Sequence, residues 1–303
     1  MVGQSLVRHG KKIGQKLLMA KRDELDLSNS TEVLKYFQAH KPDSVILAAA
    51  RVGGIYANLS HKADFLVDNL KIQNSVILGA LETGIRNFIF LGSSCIYPKD
   101  ATQPMKENSL LTGPLELTNE AYALAKISGV KLCEYIREEH RMNYFSLMPT
   151  NLYGPGDNFD LDNSHVPAAL MRKFHHAKIN NLPSVKVWGT GTPMREFMHV
   201  DDLADAIWFT FQNPPSENLL NVGYGLEISI GEFAGKVAEV VGYTGDIEFD
   251  TTMPDGTARK LLDSSKISAM GWRPQISLSD GLDSTYRWFV ENIASGTVRG
   301  YVQ

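Results

Sequence analysis

Three short, continuously apolar runs alternate with helix-length segments in the first half of the chain, and this alternation constrains the fold more than any other feature. The runs are residues 45–49, 88–91 and 144–148. Strands buried on both faces of a parallel sheet are apolar throughout, so these runs predict parallel strands. Strands and helices in this order predict an α/β fold with a doubly wound parallel sheet and right-handed crossovers.

The helical segments are predicted from apolar residues at three- and four-residue spacing and from signals at the helix ends. They lie at residues 63–83, 121–140, 167–178, 202–212, 230–241 and 278–292. After Gly154 the chain becomes rich in Gly, Pro and Asn, and the alternation loosens. The later helices therefore predict a smaller carboxyl-terminal lobe.

Composition excludes several classes of protein. Thirty basic against 34 acidic residues give a formal charge of −4, which argues against a nucleic-acid-binding surface. No apolar run approaches the roughly 18 residues of a membrane span, and we expect no membrane partner. Two cysteines, Cys95 and Cys133, are too few for a disulfide framework or a metal site of their own, so a reducing cytoplasm is expected.

The beginning of the chain departs from the usual pattern of doubly wound sheets, which open with a strand and a glycine-rich phosphate turn. Here Met1-Val2-Gly3 leads directly into residues 5–8, which are predicted to be helical. The expected first strand and its earlier glycines are missing. Their absence is expected to leave neighbouring strands unpaired and to remove amides that hold a diphosphate.

Ligands of such sheets bind beyond the carboxyl ends of the strands, which directs attention to residues 92–95 and 149–153. Tyr122 and Lys126 share one face of the helix that follows. A lysine ammonium near a phenol lowers its pKa, and Ser93 at the strand end would complete a trio around a substrate carbonyl. A Tyr and a Lys at this spacing also occur together by chance.

Cys95 and His165 each allow two interpretations. Cys95 lies two residues after Ser93, so an extended segment would place both side chains on one face, yet a free cysteine is more often a buried filler. His165 follows a polar loop, where a histidine is more often exposed than catalytic.

Other polar and glycine-rich segments offer candidate nucleotide contacts. Residues 188–196 combine glycines with Trp188 and Arg195, which suits either a turn or a nucleotide clamp. Asp255 lies in a turn and could accept hydrogen bonds from a sugar. Arg22 or Arg51 could reach a 2′-phosphate, although a surface position is the simpler interpretation of Arg22. Gly53 and Gly54 permit close backbone approach to a ligand.

Long motifs carry a resemblance to a known family. The segment Gly92-Ser93-Ser94-Cys95-Ile96-Tyr97-Pro98, with Tyr122-Ala-Leu-Ala-Lys126, resembles the extended short-chain dehydrogenase/reductases. Further similar segments are residues 52–55, 149–155, 157–159, 163–166 and 188–197. Together they resemble the GDP-L-fucose synthases, which are GDP-4-keto-6-deoxy-D-mannose 3,5-epimerases and 4-reductases. The resemblance runs from Met1 to about residue 293 and implies a Rossmann-like sheet.

The resemblance implies a role for each matching residue. Ser93, Tyr122 and Lys126 match a reductase triad, and Cys95 and His165 match an epimerisation pair. Residues implied to contact NADP(H) are Gly3, Arg22, Leu91, Gly92, Ser93, Ser94, Lys126, Pro149, Thr150, Asn151, Leu152 and His165. Residues implied to contact the GDP-sugar are Lys173, Trp188, Arg195 and Asp255.

The implied domains are an NADP-binding domain (1–155 and about 197–222) and a GDP-sugar-binding lobe (about 156–196 and 223–303). The resemblance also implies a homodimer built from the helices near 63–83 and 121–140. Since the strand and glycines expected before Met1 are missing, we expect this polypeptide to bind NADPH weakly, and about a dozen upstream residues to restore binding.

The implied chemistry uses one ketone twice. The C4 keto group acidifies the C3 and C5 protons, so that a Cys95 thiolate with a lowered pKa removes them and His165 returns a proton on the opposite face. NADPH then delivers hydride to C4 while Tyr122 supplies a proton. Two alternatives remain: another nucleotide-sugar epimerase or dehydratase, and a catalytically silent nucleotide-binding protein.

Overall fold

The structure, a computed structural model, describes residues 1–161, 164–253 and 255–301. Its helices are α1 (Val2–Lys12), α2 (Ser30–His40), α3 (Ile55–Ser60), α4 (Lys62–Glu82), α5 (Glu120–His140), α6 (Val166–Ile179), α7 (Val200–Gln212), α8 (Ile230–Val241), α9 (Ser265–Ala269) and α10 (Leu278–Ile293). Its strands are β1 (Ser44–Leu47), β2 (Asn87–Leu91), β3 (Asn143–Pro149), β4 (Asn151–Tyr153), β5 (Ser184–Trp188), β6 (Met194–His199), β7 (Leu219–Val222), β8 (Glu227–Ser229), β9 (Asp246–Asp250) and β10 (Arg259–Lys260).

The three apolar runs form adjacent parallel strands, which confirms the predicted fold class. The main sheet has the order β1-β2-β3-β7, and every neighbouring pair is parallel. Helix α4 connects β1 to β2, and α5 connects β2 to β3. The carboxyl ends of β2 and β3 therefore lie side by side, since Leu91 is paired with Leu147.

Alternation along β2 explains why this strand is apolar on both faces. Phe88 and Phe90 pack into the cluster that contains the buried residues of α4 and α5. Ile89 and Leu91 pack into the opposite cluster, with residues of α1 and α7. All four side chains are buried, and each burial stabilises the fold by about 1.5–3 kcal/mol. The strand is consequently a rigid support for the residues that follow it.

The first described residues form α1, as predicted, and this helix packs on α7. The Ser5 hydroxyl donates to the carbonyl of Val200 at 3.2 Å, and the Trp208 indole N–H donates to the carbonyl of Leu6 at 3.2 Å. Within the described part of the chain, β2 is the single strand paired with β1. Gly3 lies exposed on the first turn of α1.

A second core lies between α6, α8 and α10. Phe174, Phe233 and Phe289 are fully buried there. Beside it, β6 pairs in parallel with β4 and β10 and antiparallel with β8, while β5 pairs with β9. The β4–β6 pairing connects the end of the main sheet to this second core, and Arg195 also lies on β6.

The six helices predicted from apolar spacing are confirmed, with ends that differ by one or two residues. Gly84 follows α4 with a φ of +73°, a left-handed conformation that favours glycine.

None of the helices in the described ranges is long and apolar enough to cross a membrane. The same ranges contain no group of three or more His, Cys, Asp or Glu residues that could hold a metal ion.

Candidate active site

The chain turns sharply after β2, and this turn places Ser93 and Cys95. The amide of Gly92 donates to the carbonyl of Leu147 at 2.9 Å, which extends the pairing with β3 by one residue. Ser93 is extended, and residues 94–96 form a single 3₁₀ turn. The amide of Cys95 points back to the Ser93 Oγ at 3.5 Å. The segment does not stay extended through Cys95, which was the condition for Ser93 and Cys95 to share one face, because a 3₁₀ turn capped by Ser93 follows β2.

Helix α5 brings Tyr122 and Lys126 to the same place. Gly129 lets α5 approach β2 closely, because a Cβ atom at this position would lie 2.5 Å from Phe90 Cζ. Lys126 is buried one turn earlier, and its Nζ donates to the carbonyl of Leu91 at 2.8 Å. The ammonium lies 4.7 Å from the centroid of the Phe90 ring and 5.8 Å from that of Tyr122. The predicted trio thus converges at the carboxyl end of β2.

The protonation state of Tyr122 differs from the prediction. Burial raises the pKa of the Tyr122 phenol, and the adjacent Cys95 raises it further. Burial also lowers the pKa of Lys126 to about 8, against a smaller opposing effect of Cys95. The prediction that Lys126 lowers the pKa of Tyr122 is wrong here, since loss of water around the phenolate dominates and Lys126 is not among the groups that shift this pKa. Tyr122 stays protonated at neutral pH.

Cys95 is buried, with 6% of its surface exposed. Burial raises the pKa of its thiol, whereas Lys260, the Ser93 hydroxyl and Lys126 act in the opposite direction. The expected fall of this pKa towards neutrality is therefore not found. Desolvation penalises the thiolate more than its neighbours favour it.

Two residues at this site were missed by sequence reasoning, and both lie around β6. Lys260 is partly buried on β10, where it is paired with Arg195 of β6. Glu196 is fully buried and accepts hydrogen bonds from the amides of Gly225 at 2.7 Å and Leu262 at 3.1 Å. The one sequence signal that could have pointed to Lys260 is that it follows the candidate sugar contact Asp255 by five residues. No local sequence pattern identifies Glu196 as a residue of the site.

Most of the residues implied to contact NADP(H) surround the ends of β2 and β3. Leu91, Gly92 and Ser94 are buried at the end of β2. After β3 and Pro149, the side chains of Thr150 and Asn151 donate to the carbonyl of Glu196 at 3.2 and 2.8 Å, and Leu152 follows on β4. These backbone and polar groups fit a ribose and an amide.

The candidates for a 2′-phosphate are less favourable. Arg22 is exposed in a turn of the amino-terminal region. The Arg51 guanidinium is already held by Asp68 at 2.6 Å and Asp64 at 3.5 Å. Gly53 has a packing role, because a Cβ there would lie 3.0 Å from both the Ala57 Cβ and a Phe65 ring atom.

His165 precedes α6 as its N-cap residue, and its side chain is exposed. The buried Asp157 lies near enough for His165 to counteract the burial that raises the pKa of that carboxyl. The Oδ2 atom of Asp157 has no hydrogen-bond partner within the described residues. Asn163 of the predicted motif lies outside the described residues.

The predicted GDP-sugar contacts form two pairs. Lys173 Nζ lies 5.5 Å from the centroid of the Trp188 ring, and Trp188 is 52% exposed. Asp255 accepts hydrogen bonds from the Thr190 amide at 2.7 Å and the Thr190 hydroxyl at 2.9 Å. Arg195 is partly buried, and Asp255 opposes the burial that lowers its pKa. Cations and an exposed aromatic face suit a nucleoside diphosphate.

Comparisons with known proteins agree with this arrangement. Residues 1–223 match the NAD dependent epimerase/dehydratase family. GDP-L-fucose synthase 1 of Arabidopsis thaliana is 51% identical over 296 residues, covering 97% of this chain and 92% of that protein.

Two solved structures share the fold across nearly the whole chain. A GDP-6-OMe-4-keto-L-xylo-heptose reductase from C. jejuni is 36% identical with a TM-score of 0.90, covering 96% of this chain and 95% of that one. A GDP-L-fucose synthetase from Naegleria fowleri bound to NADP is 28% identical with a TM-score of 0.90, covering 99% and 92%. The chain therefore belongs to the NAD dependent epimerase/dehydratase family and, within it, to the GDP-L-fucose synthases.

Proposed function

We propose that the chain converts GDP-4-keto-6-deoxy-D-mannose to GDP-L-fucose with NADPH, by 3,5-epimerisation followed by reduction of the 4-keto group. The observation that carries the proposal is the convergence of Ser93, Cys95, Tyr122 and Lys126 at the carboxyl end of β2. Both half-reactions need donors to the same C4 oxygen, so one constellation serves both. Family membership and the NADP-bound neighbour support the cofactor.

Lys126 and the backbone around Leu91 fit the nicotinamide ribose of NADPH. One N–H of the Lys126 ammonium is used by the Leu91 carbonyl, which leaves two donors for ribose hydroxyls. Thr150 and Asn151 line the adjacent strand end. When bound, NADPH supplies the hydride that reduces C4.

Cys95 and His165 are the proposed acid–base pair for epimerisation. The C4 carbonyl acidifies the protons at C3 and C5, and the Cys95 thiolate removes each in turn. His165 then donates a proton from the opposite face, which inverts the carbon centre. Ser93 and Tyr122 donate hydrogen bonds to the enolate oxygen that forms at C4. Because burial raises the pKa of Cys95, only a fraction of the enzyme holds the thiolate at neutral pH.

Tyr122 is the proposed proton donor for the reduction. Its raised pKa keeps the phenol protonated at neutral pH, which is the form that donates to the C4 oxygen. Ser93 holds the same oxygen through its hydroxyl. Ser93 Oγ accepts from the Cys95 amide, and its O–H, which favours the Cys95 thiolate in this structure, is the group that turns to the C4 oxygen.

The second lobe is the proposed site for the GDP portion. Lys173 and Arg195 supply positive charge for the diphosphate, while Trp188 offers an exposed aromatic face. Asp255 holds Thr190 and so fixes the loop between Trp188 and Arg195. On this proposal residues 1–155 and about 197–222 bind NADP, and about 156–196 and 223–303 bind the GDP-sugar.

A reductase that does not epimerise is the second candidate function. The raised pKa of Cys95 favours it, because a protonated thiol is a poor base. The similarity to a 4-keto-heptose reductase favours it too. The protonated Tyr122 and buried Lys126 serve both candidates equally.

NADPH oxidation with GDP-4-keto-6-deoxy-D-mannose tests the proposal, with the product identified by NMR. The proposal predicts GDP-L-fucose as the product, and a Tyr122→Phe variant that oxidises NADPH at least a hundredfold more slowly. Tyr36→Phe, a tyrosine on α2 that stacks on His40 outside the site, is the control. A product reduced at C4 with unchanged C3 and C5 configuration supports the reductase, and no NADPH oxidation contradicts both candidates.

We further propose a homodimer built from α4 and α5. Four large apolar side chains on these helices are exposed, namely Val67, Leu78, Leu124 and Tyr135. Sedimentation velocity of wild type and Leu124→Glu tests this: the variant is expected to be monomeric.

We also propose a reducing, cytoplasmic setting, because Cys95 and Cys133 are both free and the proposed base must stay reduced.

A further inference from the structure

The segment that follows α10 returns to the second core and lies against the loop that precedes α6. Within this segment Val298 is buried in the second core. The ring of Tyr301 meets the ring of Phe289 edge-on, with centroids 5.4 Å apart. We call residues 297–301 the carboxyl-terminal strap. Its apolar side chains hold it on the second core, so its backbone is a fixed support for the loop beside it.

The strap meets that loop at Phe159. The side chain of Phe159 is fully buried in the second core, and its amide donates to the carbonyl of Arg299 at 2.9 Å. Gly300 lies directly against the next residue of the loop, because a Cβ atom at this position would lie 2.6 Å from the amide nitrogen of Asp160. Gly300 has a φ of +73°, a conformation that favours glycine. The close contact between strap and loop therefore depends on Gly300.

Arg172 of α6 binds the loop and the strap together. One nitrogen of its guanidinium, Nη1, donates to the carbonyl of Phe159 at 2.8 Å and to the carbonyl of Gly300 at 2.8 Å. The guanidinium also lies over the ring of Tyr301, with its Cζ 4.8 Å from the ring centroid. A planar guanidinium presents its N–H groups in fixed directions. A single side chain thus fixes the positions of α6, the loop and the strap relative to one another.

The segment fixed in this way leads directly to His165. Arg172 follows His165 by seven residues, which is two turns along one face of α6. Between Phe159 and His165, the carbonyl of Asp160 accepts the amide of Ser164 at 2.9 Å. His165 is the N-cap residue of α6. Both ends of the segment 159–165 are therefore anchored, one on Arg172 and the strap and the other on α6.

We propose that Arg172 is a positioning residue for epimerisation: together with the carboxyl-terminal strap it holds His165 on the face of the sugar opposite Cys95. The inference rests on the proposed function and deepens it. Arg172 acts through the backbone of residues 159–165. The reduction uses Tyr122 and Ser93 at the end of β2, so it does not depend on Arg172.

Arg172→Met tests the positioning role with substrate in deuterated water. The variant leaves the carbonyls of Phe159 and Gly300 without the Arg172 donor, so the segment that leads to His165 loses one anchor. The kcat for deuterium incorporation at C3 and C5 is expected to fall about tenfold with an unchanged KM, because displaced catalytic groups lose orientation. NADPH is still oxidised, so a product reduced at C4 with unchanged C3 and C5 configuration accumulates.

Three further variants separate positioning from a general loss of stability. Arg172→Lys is expected to restore most of the incorporation, since an ammonium can also donate to both carbonyls. Gly300→Ala displaces the strap and is expected to resemble Arg172→Met although Arg172 is intact. Arg137→Met is the matched control, because Arg137 also donates to backbone carbonyls, those of Pro215 at 2.7 Å and Glu217 at 3.3 Å. It is expected to keep the wild-type ratio of incorporation to reduction.

Amide hydrogen exchange tests the anchor without any substrate. The Phe159 amide is expected to exchange about tenfold faster in Arg172→Met than in the wild type, and at the wild-type rate in Arg137→Met. Deuterium incorporation at the wild-type rate in Arg172→Met overturns the proposal. An equal fall in incorporation and reduction with a lower Tm also overturns it, because Arg172 is then structural only.

Failure of the proposed function has a different signature. A wild-type enzyme that reduces C4 without incorporating deuterium at C3 or C5 contradicts the proposed epimerisation, and the positioning role fails with it. Faster exchange of the Phe159 amide in Arg172→Met would still establish Arg172 as the anchor of the loop.

Discussion

Replacing Lys126 with Met is expected to stabilise the fold while it abolishes the reduction. Burial lowers the pKa of Lys126 from 10.5 to about 8. At 1.36 kcal/mol per pH unit, this difference corresponds to about 3 kcal/mol of destabilisation by the charged form at pH 7. Met removes the charge with little change in volume, but the Leu91 carbonyl loses its donor, at a cost of about 1 kcal/mol. The variant is therefore expected to be about 2 kcal/mol more stable.

Urea denaturation measured across pH checks both the sign and the cause. Below pH 8 Lys126 is protonated in the folded and the unfolded chain, so the full penalty applies. Between pH 8 and 10.5 the unfolded chain binds more protons, so the stability of the wild type rises with pH relative to the variant. The advantage of Lys126→Met is thus expected to be largest at pH 7 and to disappear by about pH 10.

Lys131→Met provides the matched control on the same helix. Lys131 forms a hydrogen-bonded ion pair with Glu134 at 2.8 Å, which raises its pKa, so its loss is expected to give no stabilisation. A Lys126→Met protein that is less stable than the wild type at pH 7, by an amount independent of pH, would refute the reasoning. The ammonium would then be stabilised by its contacts more than burial destabilises it.

Three further predictions follow from single contacts. Gly129→Ala is expected to lower the free energy of unfolding by about 1–2 kcal/mol, because overpacking against Phe90 outweighs the higher helix propensity of Ala; a variant that is more stable in urea contradicts this. The kcat/KM of reduction is expected to fall above about pH 8 as Lys126 loses its proton. A kcat/KM that stays constant up to pH 10 contradicts this prediction. Asp255→Asn is expected to raise the KM for the GDP-sugar about tenfold with kcat unchanged, since Thr190 loses a charged acceptor; an unchanged KM contradicts the role of this loop.

The sequence predicted those parts of the fold whose determinants are local. Each apolar run became a parallel strand, and β2 and β3 are buried because their residues face core on both sides, whereas in β1 only Leu47 is buried. Helix α2 was missed although Asn29 caps it through the amides of Thr31 and Glu32, a local signal that was available. The pairing of Lys260 with Arg195 could not be predicted, because it joins residues distant in sequence on strands of two and six residues.

The protonation states were the weakest sequence-based expectations. Sequence spacing placed Lys126 near Tyr122, and the structure does bring them together. It gave no measure of how completely α5 and β2 remove water from them, and burial reverses the expected direction of the Tyr122 pKa. Whether a neighbouring charge or desolvation dominates depends on packing that only the folded chain reveals.

The central claim is that one ketone site serves two separable proton chemistries, and isotope incorporation tests it most directly. Each variant is incubated with GDP-4-keto-6-deoxy-D-mannose in deuterated water, and NMR follows C3, C5 and C4. Cys95→Ser is expected to lose deuterium incorporation at C3 and C5 while still reducing C4. Tyr122→Phe, which keeps the Ser93 donor, is expected to incorporate deuterium more slowly than the wild type and without reduction. Deuterium incorporation at the wild-type rate in Cys95→Ser would contradict the account.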